Sequence, residues 1–186
     1  HSEARSANLL LEGPAWTLPG GELRVAVGAQ VRTESFETQT TVFGSTASPV
    51  TTASPQQDRE IAAVFAEARI PVFGPDNARR GLRSLEVSLA ARLERYDDFG
   101  ETTNPKVGVV WSPLADLAVR ASWGTSFRAA SLPQIYDGEG ASATFLSRAD
   151  GNRVLSLYLI GGNPDLQPET AETFTIGFDY LPRDRF

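Results

Sequence analysis

Five oxygen-bearing side chains between residues 137 and 165 are the groups in this chain best suited to a hard metal ion. They are Asp137, Glu139, Asp150, Asn152 and Asp165. A calcium-binding loop supplies such oxygens at alternate positions and ends on a bidentate Glu, and these residues are not spaced in that way. The run Asp-Gly-Asn at 150–152 instead has the composition of a hairpin turn. We therefore predict a turn there and no metal site.

Three other side chains carry groups that bind polar ligands. Arg128, Tyr136 and Glu169 lie in a long segment, residues 127–169, that is rich in Gly, Pro, Asp and Ser. Arg128 and Glu169, near its two ends, can pair with each other or bind a small ligand, or they can serve only to anchor the segment. We favour anchoring and keep all three as candidate substrate-binding residues.

Residues that carry most enzymatic chemistry are nearly missing from the sequence. There is no cysteine, and the single histidine is His1 at the terminus. A thiol nucleophile, a thiolate metal site and a histidine general base in the folded region are thereby excluded. The sequence also lacks the Gly-x-Ser-x-Gly, phosphate-loop and paired-histidine motifs. We predict that the chain is not an enzyme and holds no catalytic residue, metal or cofactor.

Charge and hydropathy narrow the range of molecules that this chain could bind or cross. Seventeen Lys and Arg residues stand against 23 acids, for a net charge of −6, which leaves no basic surface for nucleic acid. No run of eighteen apolar residues is present, so a membrane-spanning helix is excluded, whereas a membrane strand requires only about ten alternating residues. The chain also has no methionine, and we expect it to be a piece of a longer precursor.

Alternation of apolar and polar residues is the dominant pattern. In Glu22–Glu34, residues Leu23, Val25, Val27, Ala29 and Val31 fall on one face and the charged residues on the other. The same period recurs in Ser84–Tyr96, Leu117–Ser126 and Thr173–Tyr180, and less regularly in Ala7–Leu18, Glu60–Ile70 and Lys106–Ser112. These runs are longer than the five or six residues of an ordinary strand. They predict an all-β chain folded as an antiparallel up-and-down meander.

The connections between these runs alternate in length, as a meander with two different ends requires. Turns at 18–21, 74–81 and 112–116 alternate with connections at 38–58, 97–102 and 127–169. If residues 1–186 form an ordered structure by themselves, we expect 38–58 and 137–161 to be poorly ordered in it. Short turns at one end and long loops at the other are typical of outer-membrane barrels.

Aromatic residues near the strand ends fit the girdles that such barrels carry at the membrane interfaces. Trp111 and Tyr180 lie beside the short turns, and Trp123, Tyr96 and Phe174 lie near the opposite ends.

Five motifs in series give the chain a resemblance to the barrel domain of TonB-dependent outer-membrane receptors. They are LPGGELRVAVGAQVRTE, AVFAEARIPVFG, LEVSLAARLERYDDFG, NPKVGVVWSPLADLAVRASWGTSFRAASLPQIY and GNPDLQPETAETFTIGFDY, which cover most of residues 18–180. Ala130 departs from the family, which usually has proline in its Arg-Ala-Pro-Ser loop start. The resemblance implies that residues 1–186 are part of a large transmembrane β-barrel of about 22 strands. This part has about seven strands, with long outer loops near 38–58 and 127–169, and lacks the plug and the closing strands.

By the same resemblance, one face of the sheet lines the barrel lumen. The polar residues on that face are Arg24, Gln30, Arg32, Glu86, Arg92, Glu94 and Arg120. We expect them to form a polar wall in contact with the plug and with water rather than to bind substrate directly.

The function implied is active import across the bacterial outer membrane. The family binds a small nutrient, such as a ferric siderophore, cobalamin, a sugar or a peptide, and uses energy that the TonB transducer delivers through the plug domain. Lipid of the outer membrane would cover the apolar face. The sequence leaves one alternative open, a soluble all-β sandwich-like binding module whose polar faces are simply hydrated.

Overall fold

The computed structural model describes residues 1–43, 48–138 and 140–182, and strands make up nearly all of its regular structure. The strands are β1 Ser2–Leu18, β2 Gly21–Phe36, β3 Gln39–Val42, β4 Val50–Ala53, β5 Gln57–Phe73, β6 Ser84–Tyr96, β7 Gly100–Ser112, β8 Leu117–Arg128, β9 Gly140–Ser147, β10 Arg153–Ile160 and β11 Glu169–Tyr180. One short helix, α1, covers Leu132–Tyr136. This content confirms the all-β prediction.

Seven of the strands form one sheet in the order β1-β2-β5-β6-β7-β8-β11. Strands β5 to β8 pair antiparallel with their chain neighbours, which confirms the meander. Strands β3 and β4 interrupt it between β2 and β5, and α1, β9 and β10 interrupt it between β8 and β11. The sheet strands contain 12 to 17 residues, which is ample to cross a bilayer at a tilt.

The chain divides into two compact units. One consists of His1–Arg5, Thr33–Arg59 and Ala129–Glu169, and the other of Ser6–Arg32, Glu60–Arg128 and Thr170–Phe186. Most of the seven-stranded sheet belongs to the second unit. The first unit contains both inserted hairpins and α1.

Two inserted hairpins lie within residues 38–58 and 137–161, the connections that the sequence predicts to be poorly ordered. Strand β3 pairs with β4 from Gln39 opposite Ala53 to Val42 opposite Val50. Strand β9 pairs with β10 from Gly140 opposite Ile160 to Ser147 opposite Arg153. Six of the eight residues of strand β10 are apolar or aromatic, and a tight turn precedes it, so local hairpin formation explains the pairing. Residues 44–47 and 139 lie outside the described residues.

Local chemistry explains the short turns. In the turn between β5 and β6, the Asn77 side chain accepts a hydrogen bond from the Gly74 amide at 2.8 Å and donates one to the Val72 carbonyl at 2.9 Å. Asn is favoured at turns because its amide can replace such backbone bonds. The register of β5 against β6 shifts between Pro71 and Phe73, where proline cannot donate a ladder hydrogen bond.

In a sheet that faces water, large apolar side chains are buried and charged ones are exposed. Facing residues of β5 and β6 show the opposite distribution. Val64 and Leu93, which lie opposite each other on β5 and β6, are 54% and 50% exposed. The next pair, Ala63 and Glu94, lies on the other face and is 4% and 8% exposed. At these two pairs the larger apolar side chains are therefore exposed, while the charged side chain of Glu94 is buried. In the described part of the chain, no helix is both long and apolar enough to span a membrane.

Candidate functional site

A hydrogen-bonded polar network lies on the buried face of β2 and β6. The Arg92 guanidinium donates to Glu94 Oε1 and to Gln30 Oε1, both at 2.6 Å. Tyr96 donates its hydroxyl proton to the second carboxylate oxygen of Glu94 at 3.0 Å. These contacts confirm that Gln30, Arg92 and Glu94 share the face opposite to the apolar set. The buried Glu94 and Tyr96 thereby gain partners that replace water.

Aromatic rings cover one end of this network. The Tyr96 ring stacks on Phe99 at 4.3 Å between centroids and meets Phe127 edge-on at 5.5 Å. The prediction that Tyr96 belongs to an exposed aromatic girdle is therefore wrong. Tyr96 has the same parity along β6 as Glu94 and Arg92, which places its ring on the buried face.

Gly28 is required where the Phe65 ring crosses β2 on this same face. A Cβ atom at Gly28 would lie 2.3 Å from Phe65 Cζ and 2.8 Å from the carbonyl oxygen of Leu9. The Arg92 guanidinium lies 5.8 Å from the Phe65 ring centroid, within the range of a cation–π contact. Because Gly28 has no side chain, the Phe65 ring can pack over β2 beside the Arg92 guanidinium of the network.

Farther along the polar face lies an open cleft of about 370 Å³. The charged residues that line it are Glu12, Arg24, Glu67, Arg69 and Lys106. Arg69 also pairs with Glu86 at 3.2 Å, and Arg120 pairs with Asp179 of β11. Because residues of both signs of charge line the cleft, it suits water, a zwitterionic ligand or a polar protein segment better than a simple anion or cation.

The three candidate substrate-binding residues lie at the ends of their elements. Arg128 is the last residue of β8 and is exposed, and Tyr136 is the last residue of α1 and is 38% exposed. Glu169 is the first residue of β11. Their role in substrate binding stays a prediction.

The oxygen-bearing residues form local turns. Asp150 accepts hydrogen bonds from the backbone and side-chain amides of Asn152 at 3.0 and 3.2 Å, and the Arg148 amide closes the turn by donating to the Asn152 carbonyl at 2.8 Å. The hairpin turn at 150–152 is confirmed. Glu139 lies outside the described residues, and among those described no cluster of His, Cys, Asp and Glu has the grouping of a metal site.

Arg59 is a buried charged residue whose position the sequence did not reveal. It is 1% exposed, and its NH1 atom lies 2.9 Å from the Ala130 carbonyl oxygen and 3.6 Å from Glu34 Oε2. It stands in the polar run Gln-Gln-Asp-Arg-Glu, where no apolar alternation indicates burial. A buried arginine is tolerated because two oxygens compensate for the water it loses.

Comparisons with known proteins agree with this arrangement. The family described as TonB dependent receptor-like, beta-barrel matches residues 3–186. The crystal structure of the siderophore receptor PirA from Pseudomonas aeruginosa superimposes with a TM-score of 0.65 and 20% identity over 98% of this chain. That alignment covers 30% of the PirA chain, so the present chain spans about a third of the solved structure it matches. No curated protein sequence matches it.

Proposed function

This chain belongs to the TonB-dependent receptor β-barrel family, and from that membership we propose that the protein containing it imports a scarce nutrient across a bacterial outer membrane. Residues 1–186 would form one section of the barrel wall. Transport, and not catalysis, is the activity that follows from the family.

The opposition between the two faces of the sheet is the observation that carries the proposal. Val27, Val64, Leu89 and Leu93 expose between 43% and 54% of their surface, while Glu94 is buried against Arg92 and Tyr96 on the opposite face. In water, exposed alternate valines and leucines would leave a large apolar surface hydrated. In an outer-membrane barrel the same residues contact lipid, and the charged face lines the lumen. A soluble sandwich would bury this apolar set against a second sheet, so the exposure disfavours that alternative.

We propose a ferric siderophore as the first substrate to test, because the structural relative is a siderophore receptor. The low identity supports the fold and not the ligand, so cobalamin, sugars and peptides remain further arms of the same test. Energy would reach the barrel from TonB through a plug domain, which is not among residues 1–186.

Deletion of the gene tests the proposal directly. We expect the full-length protein to fractionate with the outer membrane and to require detergent for extraction. The deletion strain should lose uptake of one labelled nutrient among defined iron chelates, cobalamin, sugars and peptides, and deletion of tonB should abolish the same uptake. Recovery of the full-length protein in the soluble fraction without detergent would refute the proposal, as would unchanged uptake of every nutrient.

A further inference from the structure

The segment that follows β8 begins with a short, well-packed region. Leu132 and Ile135 of α1 are buried. The Ser131 side chain and amide both contact Gln134 Oε1 at 2.9 Å, and the Ile135 amide donates to the Ser131 carbonyl at 3.2 Å. Because these contacts are local, they define a compact turn of helix but do not by themselves attach it to the strands.

The chain returns to the same place after the β9–β10 hairpin. The Gly162 amide donates to the Asp137 carbonyl at 2.9 Å, and the Asn163 amide donates to the Gln134 carbonyl at 2.8 Å. A side chain at Gly162 would place its Cβ 2.3 Å from the Ile135 carbonyl oxygen, so glycine is needed for this close approach. We call residues 130–137 together with 162–163 the neck.

Arg59 attaches the neck to the strands of its own unit. Its side chain, 2% exposed, joins Glu34 of β2 to the Ala130 carbonyl at the start of the neck. A second, weaker contact runs from the Thr38 hydroxyl to Asp137 Oδ1 at 3.4 Å on the exposed side. A charged hydrogen bond is stronger than a neutral one, and a buried cation whose partner is removed is costly, so Arg59 dominates this attachment.

The hairpin beyond the neck has no comparable packing. Leu155, Leu157 and Leu159 lie on one face of β10 and each exposes more than 60% of its surface. A two-stranded hairpin without a covered apolar face is marginally stable in water. The neck is thus held by specific contacts, whereas the leucines of the hairpin are left exposed.

We propose that Arg59 is a positioning residue that fixes the neck, and with it the base from which the β9–β10 hairpin extends in the receptor. The inference rests on the proposed function for its location outside the cell, while the attachment itself rests on the contacts of Arg59 and the weaker contact of Thr38. It assigns a role in loop attachment to a residue outside the polar network and the cleft.

Limited trypsin digestion of the purified full-length receptor tests this role. Arg128 lies two residues before the neck, whereas Arg148 and Arg153 flank the hairpin turn. Loss of the charged hydrogen bond from Arg59 to Ala130 should raise the fraction of molecules with a locally opened neck about tenfold. Arg59→Ala should therefore raise the initial rate of cleavage after Arg128 by the same factor. Cleavage after Arg148 and Arg153 should stay unchanged. Arg5→Ala, which removes an exposed arginine from its pair with Glu3, is the matched control and should change neither rate.

Two results would overturn the inference. One is an unchanged rate after Arg128 in Arg59→Ala. The other is a parallel rise after Arg92 and Arg95 in the sheet, which would indicate general destabilisation. If Arg59→Ala does not fold, Arg59→Lys and Glu34→Gln provide the same comparison with smaller changes. Trypsin added to intact cells separates the two proposals, because protection of Arg148 and Arg153 there would contradict the outer location and leave the attachment result standing.

Discussion

The two faces of the β5–β6 pair use different means of stabilisation. On one face, Val64 lies opposite Leu93 with both side chains exposed, and on the other, Ala63 lies opposite a buried Glu94. The buried face is held by specific polar contacts, whereas the apolar face lacks any covering element in the described residues. The polar face is therefore stabilised by contacts within the chain, whereas the apolar face depends on the medium that surrounds it.

The largest expected effect is that of a charge placed on the apolar face. Val27 and Ala26 are neighbours on β2, with Val27 47% exposed and Ala26 lining the charged cleft. For the full-length protein in bilayers, Val27→Arg should lower the unfolding free energy by about 2–4 kcal/mol, and Ala26→Arg by a small fraction of that. Urea unfolding from liposomes measures both values. Equal losses would remove the distinction between the faces.

Close packing on the polar face gives the next largest effect. Gly28→Ala should destabilise by about 1–3 kcal/mol, because the new methyl group collides with the Phe65 ring and the Leu9 carbonyl. Gly13→Ala is the control, since a Cβ atom at Gly13 would have no heavy atom within 4 Å. The same unfolding measurement applies. A neutral Gly28→Ala would show that Phe65 does not pack over β2.

A smaller loss is expected at the tyrosine of the network. Tyr96→Phe removes the hydroxyl that donates to Glu94 but keeps the ring on Phe99, so we expect a loss of about 1 kcal/mol. Tyr158→Phe, at an exposed tyrosine of β10, should have no measurable effect. Identical stabilities of the two variants would argue that Glu94 gains nothing from the hydroxyl.

The exposed ion pair of the cleft should contribute least. Arg69 and Glu86 have side chains 63% and 37% exposed, and such pairs contribute about 0–1 kcal/mol. Arg69→Ala should therefore shift the unfolding midpoint slightly, and added salt should reduce the difference from the unchanged protein. A loss well above about 1 kcal/mol, the upper end for an exposed ion pair, would mean that the pair is shielded from solvent.

The faces of the sheet could be predicted from the sequence because strand side chains alternate strictly. Once a strand is recognised, the alternation assigns each of its residues to a face, as in Glu22–Glu34 and Ser84–Tyr96. The same alternation places the Tyr96 side chain on the face of Glu94. The assignment of Tyr96 to the aromatic girdle was wrong because it considered only that Tyr96 lies near the end of the strand, and not the face on which its side chain lies.

The neck could not be predicted in the same way. Arg59 is buried because Ala130, 71 residues later, returns beside it, and nothing in the local pattern around residue 59 encodes that contact. Likewise, Gly162 is an ordinary loop glycine until Ile135 is placed against it. Contacts between distant segments depend on the whole fold, so motif and period indicate the sheet but not the attachment of its loops.

Site-directed spin labelling along β6 tests the central claim most directly. The chain contains no cysteine, so single cysteines at positions 86 to 93 of the full-length receptor, with any cysteines elsewhere replaced, can carry a nitroxide in native outer membranes. We predict that oxygen, which partitions into lipid, reaches labels at 87, 89, 91 and 93, and that a water-soluble nickel complex has greater access to labels at 86, 88, 90 and 92. Equal accessibility at neighbouring positions, or greater access of the nickel complex at 89 and 93, would contradict a lipid-facing apolar surface.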